Sequence, residues 1–150
     1  MVELAIAFTL LSLLVFGIIE FGLVFYNHIS LNQGVREAAR QTAVGCYNPP
    51  GCTSASPTND VVAYTKNRIG LSNASTSVHV IFPGSPNIGD EFSVCAFYPR
   101  DSITGLLSSF IGGYSFSEVT MRIEQLPKSG PIPATGGDAD PTGNGWSKCS

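Results

Sequence analysis

A long apolar run near the N-terminus constrains this chain more than any other feature. Residues 4–26 read LAIAFTLLSLLVFGIIEFGLVFY, with Glu20 as the one charged residue inside the run and Glu3 just before it. About 20 apolar residues cross the hydrocarbon core of a bilayer, so the run is long enough to span one. A carboxylate inside such a span is costly and normally has a partner. The run therefore predicts a helix that is first embedded in lipid and later packs in a protein assembly, where its two glutamates find partners.

The helical pattern continues beyond this run through ISLNQGVREAARQTAV, which contains no proline. We predict one helix from about residue 2 to 45, roughly 65 Å long. Its first half is apolar all round, which is typical of burial in lipid or in a helix bundle. In its second half Leu31 and Val35 share one side, whereas Arg36 and Arg40 lie on another. This half is therefore amphipathic.

Three glycines lie within this predicted helix, Gly17, Gly22 and Gly34. Glycine is a poor helix former, but small residues also allow helices to approach closely in membranes. The glycines are therefore either packing sites or hinges, and we favour packing sites.

Composition excludes one class of partner and limits the size of the folded domain. The chain has 150 residues, a net charge of −3 and 13% charged residues. Nucleic acid binding needs a clustered basic face, which this sequence lacks, so we expect no nucleic acid partner. About 105 residues remain after the helix, a marginal size that covalent cross-links would help to stabilise.

The four cysteines supply candidate cross-links. Cys46, Cys52, Cys95 and Cys149 all follow the apolar run, and an even number outside a membrane segment predicts disulfides in an oxidising compartment. No paired CxxC motif indicates zinc. The turn YNPPG between the first two favours a local Cys46–Cys52 bridge, which leaves Cys95–Cys149 by elimination. The other two connectivities stay open at this point.

The charges that flank the helix would place the C-terminal domain in the cytoplasm, which conflicts with the oxidising compartment that the cysteines predict. Positive residues usually remain cytoplasmic, yet no Lys or Arg precedes the span, and Arg36 and Arg40 follow it. We expect that a short basic leader preceded Met1 and was cut off before the apolar region, unlike an ordinary secretory signal.

The rest of the chain predicts an α+β domain. A short helix is expected at about 59–69, followed by strands at 76–82, 92–98 and 116–125. The strands alternate apolar and polar residues, which predicts an antiparallel sheet with one buried and one wet face. The chain thus divides into an N-terminal helix at 1–45, a globular domain at 46–126 and a Gly/Pro-rich tail at 127–150. The tail has linker composition, and we expect Trp146 and Cys149 to hold it in place.

Nothing in the sequence indicates catalysis. The imidazoles are His28, near the membrane exit, and His79, which alternates toward the solvent side of a strand. A nucleophile needs a base within reach and a third group that orients it, and no glycine pattern resembles a phosphate loop. The segment GGDADPTGN has oxygen ligands for calcium but lacks the closing glutamate. We therefore predict no enzyme activity, no cofactor and no resident metal.

The N-terminal helix resembles that of the TadE/TadG-like pilins of tight-adherence (Tad) pilus systems. The resemblance lies in the glutamate that opens the run, the segment FGIIEFG, the exit at Phe25-Tyr26 and the sequence REAAR at 36–40. A weaker likeness, TMRIE at 120–124, corresponds to the strand that closes the family's small domain. Type IV pilins carry the acid fifth in the mature chain, whereas here it is third, which leaves the mature start open.

The resemblance implies a bacterial prepilin-like protein. Such a protein is cut by a prepilin peptidase, held in the inner membrane, and handed by the pilus assembly machinery to a secreted filament. We expect a structural subunit of an extracellular Tad-type pilus, a homo-oligomeric helical fimbrium that serves in cell adhesion. The alternative is a membrane-anchored minor pseudopilin or pilus-assembly protein.

A polymer interface is expected along the N-terminal helix. In a filament Glu3 would accept a charge-assisted hydrogen bond from the N-terminal amine of a neighbour. Glu20 would be protonated, bonded to Ser12 or the backbone, or paired with an arginine of a staggered neighbour. The residues expected at this interface are Glu3, Gly17, Glu20, Gly22, Leu31, Val35, Arg36 and Arg40.

Overall fold

One helix of 42 residues, α1, forms the axis of the molecule and carries the sheet on its second half. The computed structural model describes residues 2–52, 54–102, 105, 108–127 and 131–149. In chain order the elements are α1 (Val2–Ala43), α2 (Pro57–Ile69), β1 (Ser77–Ile81), β2 (Glu91–Pro99), α3 (Ser108–Ile111), β3 (Tyr114–Arg122) and β4 (Gly136–Gly137). The predicted α+β class is confirmed.

The amphipathic half of α1 packs against the sheet as its pattern predicts. Leu31, Val35 and Ala39 are fully buried in the core, while Arg36 and Arg40 face outward. The helix ends at Ala43, two residues before the predicted end, because Gly45 adopts a left-handed φ of 71° and its N–H donates to the Thr42 carbonyl.

The second helix crosses the first in direct backbone contact. A Cβ added to Gly34 would lie 2.6 Å from both the N and the Cα atoms of Ile69. Gly34 is thus a packing site, as favoured, whereas a Cβ at Gly17 or Gly22 would meet nothing within 4 Å. The α2 helix starts at Pro57, before the predicted 59, because proline suits the first helical turn; it stops at Gly70 as expected.

The four strands form an antiparallel sheet in the order β3-β2-β1-β4. Its inner face joins the core beneath α1 and α2 through residues that alternate along β1 and β2: Val78, Val80, Phe92, Val94 and Ala96. The three predicted strands are present with shifted ends. The third predicted strand, β3, stops at Arg122 and not at 125, because the next two amides form hydrogen bonds outside the strand ladder. The Ile123 amide donates to the Asp90 carbonyl and the Glu124 amide to the Ala43 carbonyl.

The outer face of the central strands is not wet, which corrects the sequence-based expectation. The C-terminal tail folds back over it, so Cys95 and Phe97 pack against Trp146 and Cys149 in a second small core. Disulfides join Cys46 to Cys52 and Cys95 to Cys149, the pairing that the sequence favoured. The tail is thus held by Trp146 and Cys149, as expected.

Hydrogen bonds next to β4 also attach the tail to β1. Asp138 exchanges two hydrogen bonds with Val78: its amide donates to the Val78 carbonyl, and its carboxylate accepts from the Val78 amide, both at 2.8 Å. The same carboxylate lies 2.8 Å from the ammonium of Lys66 on α2. The indole of Trp146 donates to the Asp138 carbonyl at 3.0 Å. Asp138 therefore links the tail to both β1 and α2.

His79 lies on the outer face, as its alternation predicts, but it is partly covered there. The ring of Trp146 stacks on it at a centroid distance of 5.0 Å. Burial lowers the pKa of the His79 imidazole, and the nearby Asp138 carboxylate opposes this shift. The ring therefore serves as packing surface for the tail.

Candidate functional site

The first half of α1 projects away from the folded domain with its apolar side chains uncovered. Leu4, Phe8 and Leu10 keep 77%, 68% and 67% of their surface exposed, and 6% of the most apolar 18-residue window of the helix is buried. Monomeric soluble proteins rarely expose more than a few hundred Å² of contiguous apolar surface. By length and composition, the helix Glu3–Ala43 is able to cross a membrane. This surface requires lipid or other apolar helices around it.

One line of exposed residues runs along α1 and continues beside the folded domain. Steps of three or four residues, with one step of seven from Ile29 to Arg36, keep them on one side of a helix. We call this line the outer stripe; it begins at Glu3, ends at Arg36, and between them contains Ala7, Leu10, Leu14, Ile18, Phe21, Phe25 and Ile29. Phe21, Phe25 and Ile29 remain 54%, 64% and 52% exposed although the opposite side of the helix is packed.

Glu20 is the deepest acid of the helix and lies at the base of the folded domain. It is 3% exposed, and the Ser102 hydroxyl donates to its Oε1 at 2.9 Å. Ser102 follows β2 and stands 82 residues away in sequence, so no local pattern announces this contact. Ser12, one of the expected partners, donates instead to the Phe8 carbonyl.

The position of Glu20 limits the part of α1 that stands free. Residues 4–19 span about 24 Å, somewhat less than the ~30 Å hydrocarbon core of a typical bilayer. If the folded domain stays outside the lipid, Glu20 lies near the membrane surface and not at its midplane. Glu3 and Glu20 then flank the lipid-embedded segment at its two ends.

The Glu20 contact predicts a measurable coupling between the helix and the base of the domain. We expect Ser102→Ala to lower the free energy of unfolding by about 1–3 kcal/mol, because the hydroxyl bonds a carboxyl group that is almost fully buried. Chemical unfolding in detergent micelles measures this change. Ser109→Ala, at an exposed position nearby, is the control; equal stabilities of the two variants would rule out the coupling.

The remaining expected interface residues are divided between surface and core. Glu3, Arg36 and Arg40 are exposed, and the Arg40 guanidinium lies 3.9 Å from the carboxylate of Glu37. Gly17 and Gly22 face open space within this chain. Leu31 and Val35 are fully buried against the chain's own sheet and so are not available to a neighbouring subunit.

The described residues include one group with the composition of a metal site, formed by Cys95, Cys149 and Glu118. The two cysteines are joined in a disulfide and supply no thiolate. In the acidic tail segment, burial raises the pKa of Asp140, but hydrogen bonds from the Trp146 and Thr142 amides and the Thr142 hydroxyl bring it down to about 2. These donors already occupy the carboxylate oxygens, so the segment is built as a turn and not as a cation cage.

A free apolar helix attached to a small disulfide-linked domain is the arrangement typical of proteins that such a helix anchors in a membrane. Residues 1–40, nearly the whole of this helix, match the model of a protein family described as "TadE-like protein". The resemblance seen in the sequence is confirmed over these residues. No curated protein and no solved structure matches the chain.

Proposed function

We propose that the protein is a structural subunit of an extracellular Tad-type pilus and polymerises through α1. The observation that carries this proposal is the extent of the outer stripe. While the folded domain stays outside the lipid, only the free segment below Glu20 can be embedded, yet the stripe continues through Phe21, Phe25 and Ile29 at the level of the domain. Lipid tails do not reach these side chains while the domain stays outside the membrane. Parallel helices of neighbouring subunits can contact these side chains.

The energetics favour a bundle once subunits leave the lipid. Phe21, Phe25 and Ile29 form the upper part of the outer stripe, which we call the upper stripe. Each is about half exposed and gains roughly 1–2 kcal/mol when the rest of its surface is removed from water. Within lipid, helix association depends instead on close packing at small residues. Gly17 and Gly22 have no neighbour within 4 Å in the single chain, so another helix has room to approach there. These glycines complete the proposed polymer interface.

The proposal includes the steps that precede assembly. The family match supports residence in the inner membrane, cleavage by a prepilin peptidase and handling by the pilus assembly machinery. The filament then displays the disulfide-linked domains on its outside, where they serve in cell adhesion. We assign no catalytic role to the chain.

The test is to shear cells, image the fibres and identify their principal protein band. We expect this chain to dominate the wild-type fibres. Phe25→Asp is expected to lower the fibre yield about tenfold or more, because it places a charge in the upper stripe where neighbours meet. The membrane content of the chain should remain unchanged, since Phe25 lies beyond the free segment. Phe25→Leu, which keeps the apolar character, is the matched control. Wild-type fibre yield with Phe25→Asp would contradict the proposal.

The second candidate function is a membrane-anchored minor pseudopilin or assembly protein. The Glu20 contact favours it, because Ser102 of the same chain already bonds this acid and no neighbouring subunit is needed. Stoichiometry separates the two functions. A minor subunit appears as a trace component of sheared fibres, or stays in the membrane fraction.

A further inference from the structure

We propose that the filament register is set by an ion pair between Glu3 of one subunit and Arg36 of a parallel neighbour. The neighbour is displaced along the helix axis by the separation of the two residues, about 50 Å at 1.5 Å per residue. This inference rests on the proposed function and adds to it a specific pair of side chains between two copies of the chain.

Geometry places both residues on the surface where neighbours meet. Glu3 and Arg36 are exposed and form the two ends of the outer stripe, about nine helical turns apart on the same side of α1. A second copy shifted by this distance sets its Glu3 level with Arg36 of the first, so the two stripes meet at their ends and the two helices overlap along about two turns. Residues one turn further on, Ala7 and Arg40, are brought level by the same shift.

The charge pattern makes this displacement distinctive. Arg36 is the first Lys or Arg of the chain, and the one charged residue between it and Glu3 is Glu20. Glu20 is buried at the base of the domain, so the stripe between its two ends carries no charge. Helices aligned without displacement would set Glu3 beside Glu3. An acid in an apolar bundle is tolerated when an opposite charge and hydrogen bonds accompany it.

Arg36 is better suited to this pairing than Arg40. Among the described residues Arg36 takes part in no ion pair, whereas the Arg40 guanidinium already lies 3.9 Å from the carboxylate of Glu37. A guanidinium also binds a carboxylate through two parallel hydrogen bonds, which fixes position as well as charge. The pair therefore specifies one displacement among the many at which a parallel copy can lie along α1.

A charge exchange tests the pair in cells. Glu3→Arg and Arg36→Glu are each expected to lower the yield of sheared fibres about tenfold or more, because each leaves like charges opposed in the bundle. The double variant is expected to recover most of the wild-type yield. Glu3→Arg combined with Arg40→Glu is the control and should not recover it. Failure of the first double variant, or recovery by the control pair alone, would overturn the assignment.

A cross-linking experiment keeps the inference testable if Glu3 variants are not processed to the wild-type size. Ala7→Cys and Arg40→Cys together leave Glu3 and Arg36 in place, and the proposed displacement sets the two new thiols side by side. We expect oxidised fibres to yield disulfide-linked multimers of this variant. The control is Ala7→Cys with Gln33→Cys. At the proposed displacement its two thiols on neighbouring subunits are about 10 Å apart along the helix axis. Absence of cross-links, or equal cross-linking in both variants, would refute the register.

The two proposals fail in different ways. If the wild-type chain is absent from fibres, the proposed function fails, whatever the charges do. If the chain dominates the fibres while the exchange and the cross-links give the negative results, the function stands and the Glu3–Arg36 pair is wrong. Pairing of Glu3 with a neighbour's N-terminal amine is one arrangement that would produce this second outcome.

Discussion

Removal of the Cys95–Cys149 disulfide is expected to lower the free energy of unfolding of the folded domain by about 4 kcal/mol. This bridge closes a loop with a sequence separation of 54 residues, and the loss of its constraint on the unfolded chain gives a value of this size. The variant is the double substitution Cys95→Ala and Cys149→Ala. Chemical unfolding in detergent measures the change, and the tail gives an independent signal because Trp146 is the one tryptophan of the chain. Its fluorescence should report a more exposed indole.

The Cys46–Cys52 bridge supplies the matched control. Its sequence separation is 6, so the same reasoning gives a smaller loss of about 2 kcal/mol. This loop lies at the end of α1, and its removal should leave the fluorescence of Trp146 unchanged. Equal losses for the two bridges, or an unchanged Trp146 signal without the long one, would show that the tail docks independently of its disulfide.

Gly34→Ala is expected to destabilise the domain by about 1–3 kcal/mol, although alanine is intrinsically the better helix former. The added methyl group would meet backbone atoms of Ile69 at 2.6 Å, and backbone atoms cannot move aside without separating the two helices. Unfolding in detergent measures the loss.

Gly22→Ala is the matched control in the same helix. Nothing lies within 4 Å of a Cβ at this position, so the substitution should be neutral or stabilise the helix by up to about 1 kcal/mol. If Gly34→Ala behaves like Gly22→Ala, the close approach of α1 and α2 is incorrect.

Periodicity predicts the elements of this fold well because each has one clearly buried side. The amphipathic half of α1 and the alternation in β1 and β2 place Val35, Val80 and Val94 in the core, where the structure has them. The favoured cysteine pairing is also confirmed: the short proline-rich turn indicated a local Cys46–Cys52 bridge, although the sequence left two other connectivities open. These signals are local: each segment alone indicates which of its residues are buried, and those residues together form the core.

The contacts that the sequence does not announce are those between distant segments without a pattern. Ser102 lies in a loop, and nothing near it points to Glu20. The tail has the composition of a linker and no apolar periodicity. No pattern in its sequence therefore shows which face of the sheet it covers, although it packs on Cys95 and Phe97. Its docking depends on individual groups, such as the Asp138 carboxylate beside Lys66, that only the folded chain brings together.

The way in which the tail meets β1 has a consequence for crowded surfaces. An open edge strand offers a row of backbone amides and carbonyls to any similar chain, which is a common route to aggregation. Here Asp138 occupies the amide and carbonyl of Val78, and the Thr135 hydroxyl bonds both the amide and the carbonyl of Phe82. The tail and its strand β4 therefore occupy this flank of β1, so the strand of a neighbouring domain cannot pair with β1 there.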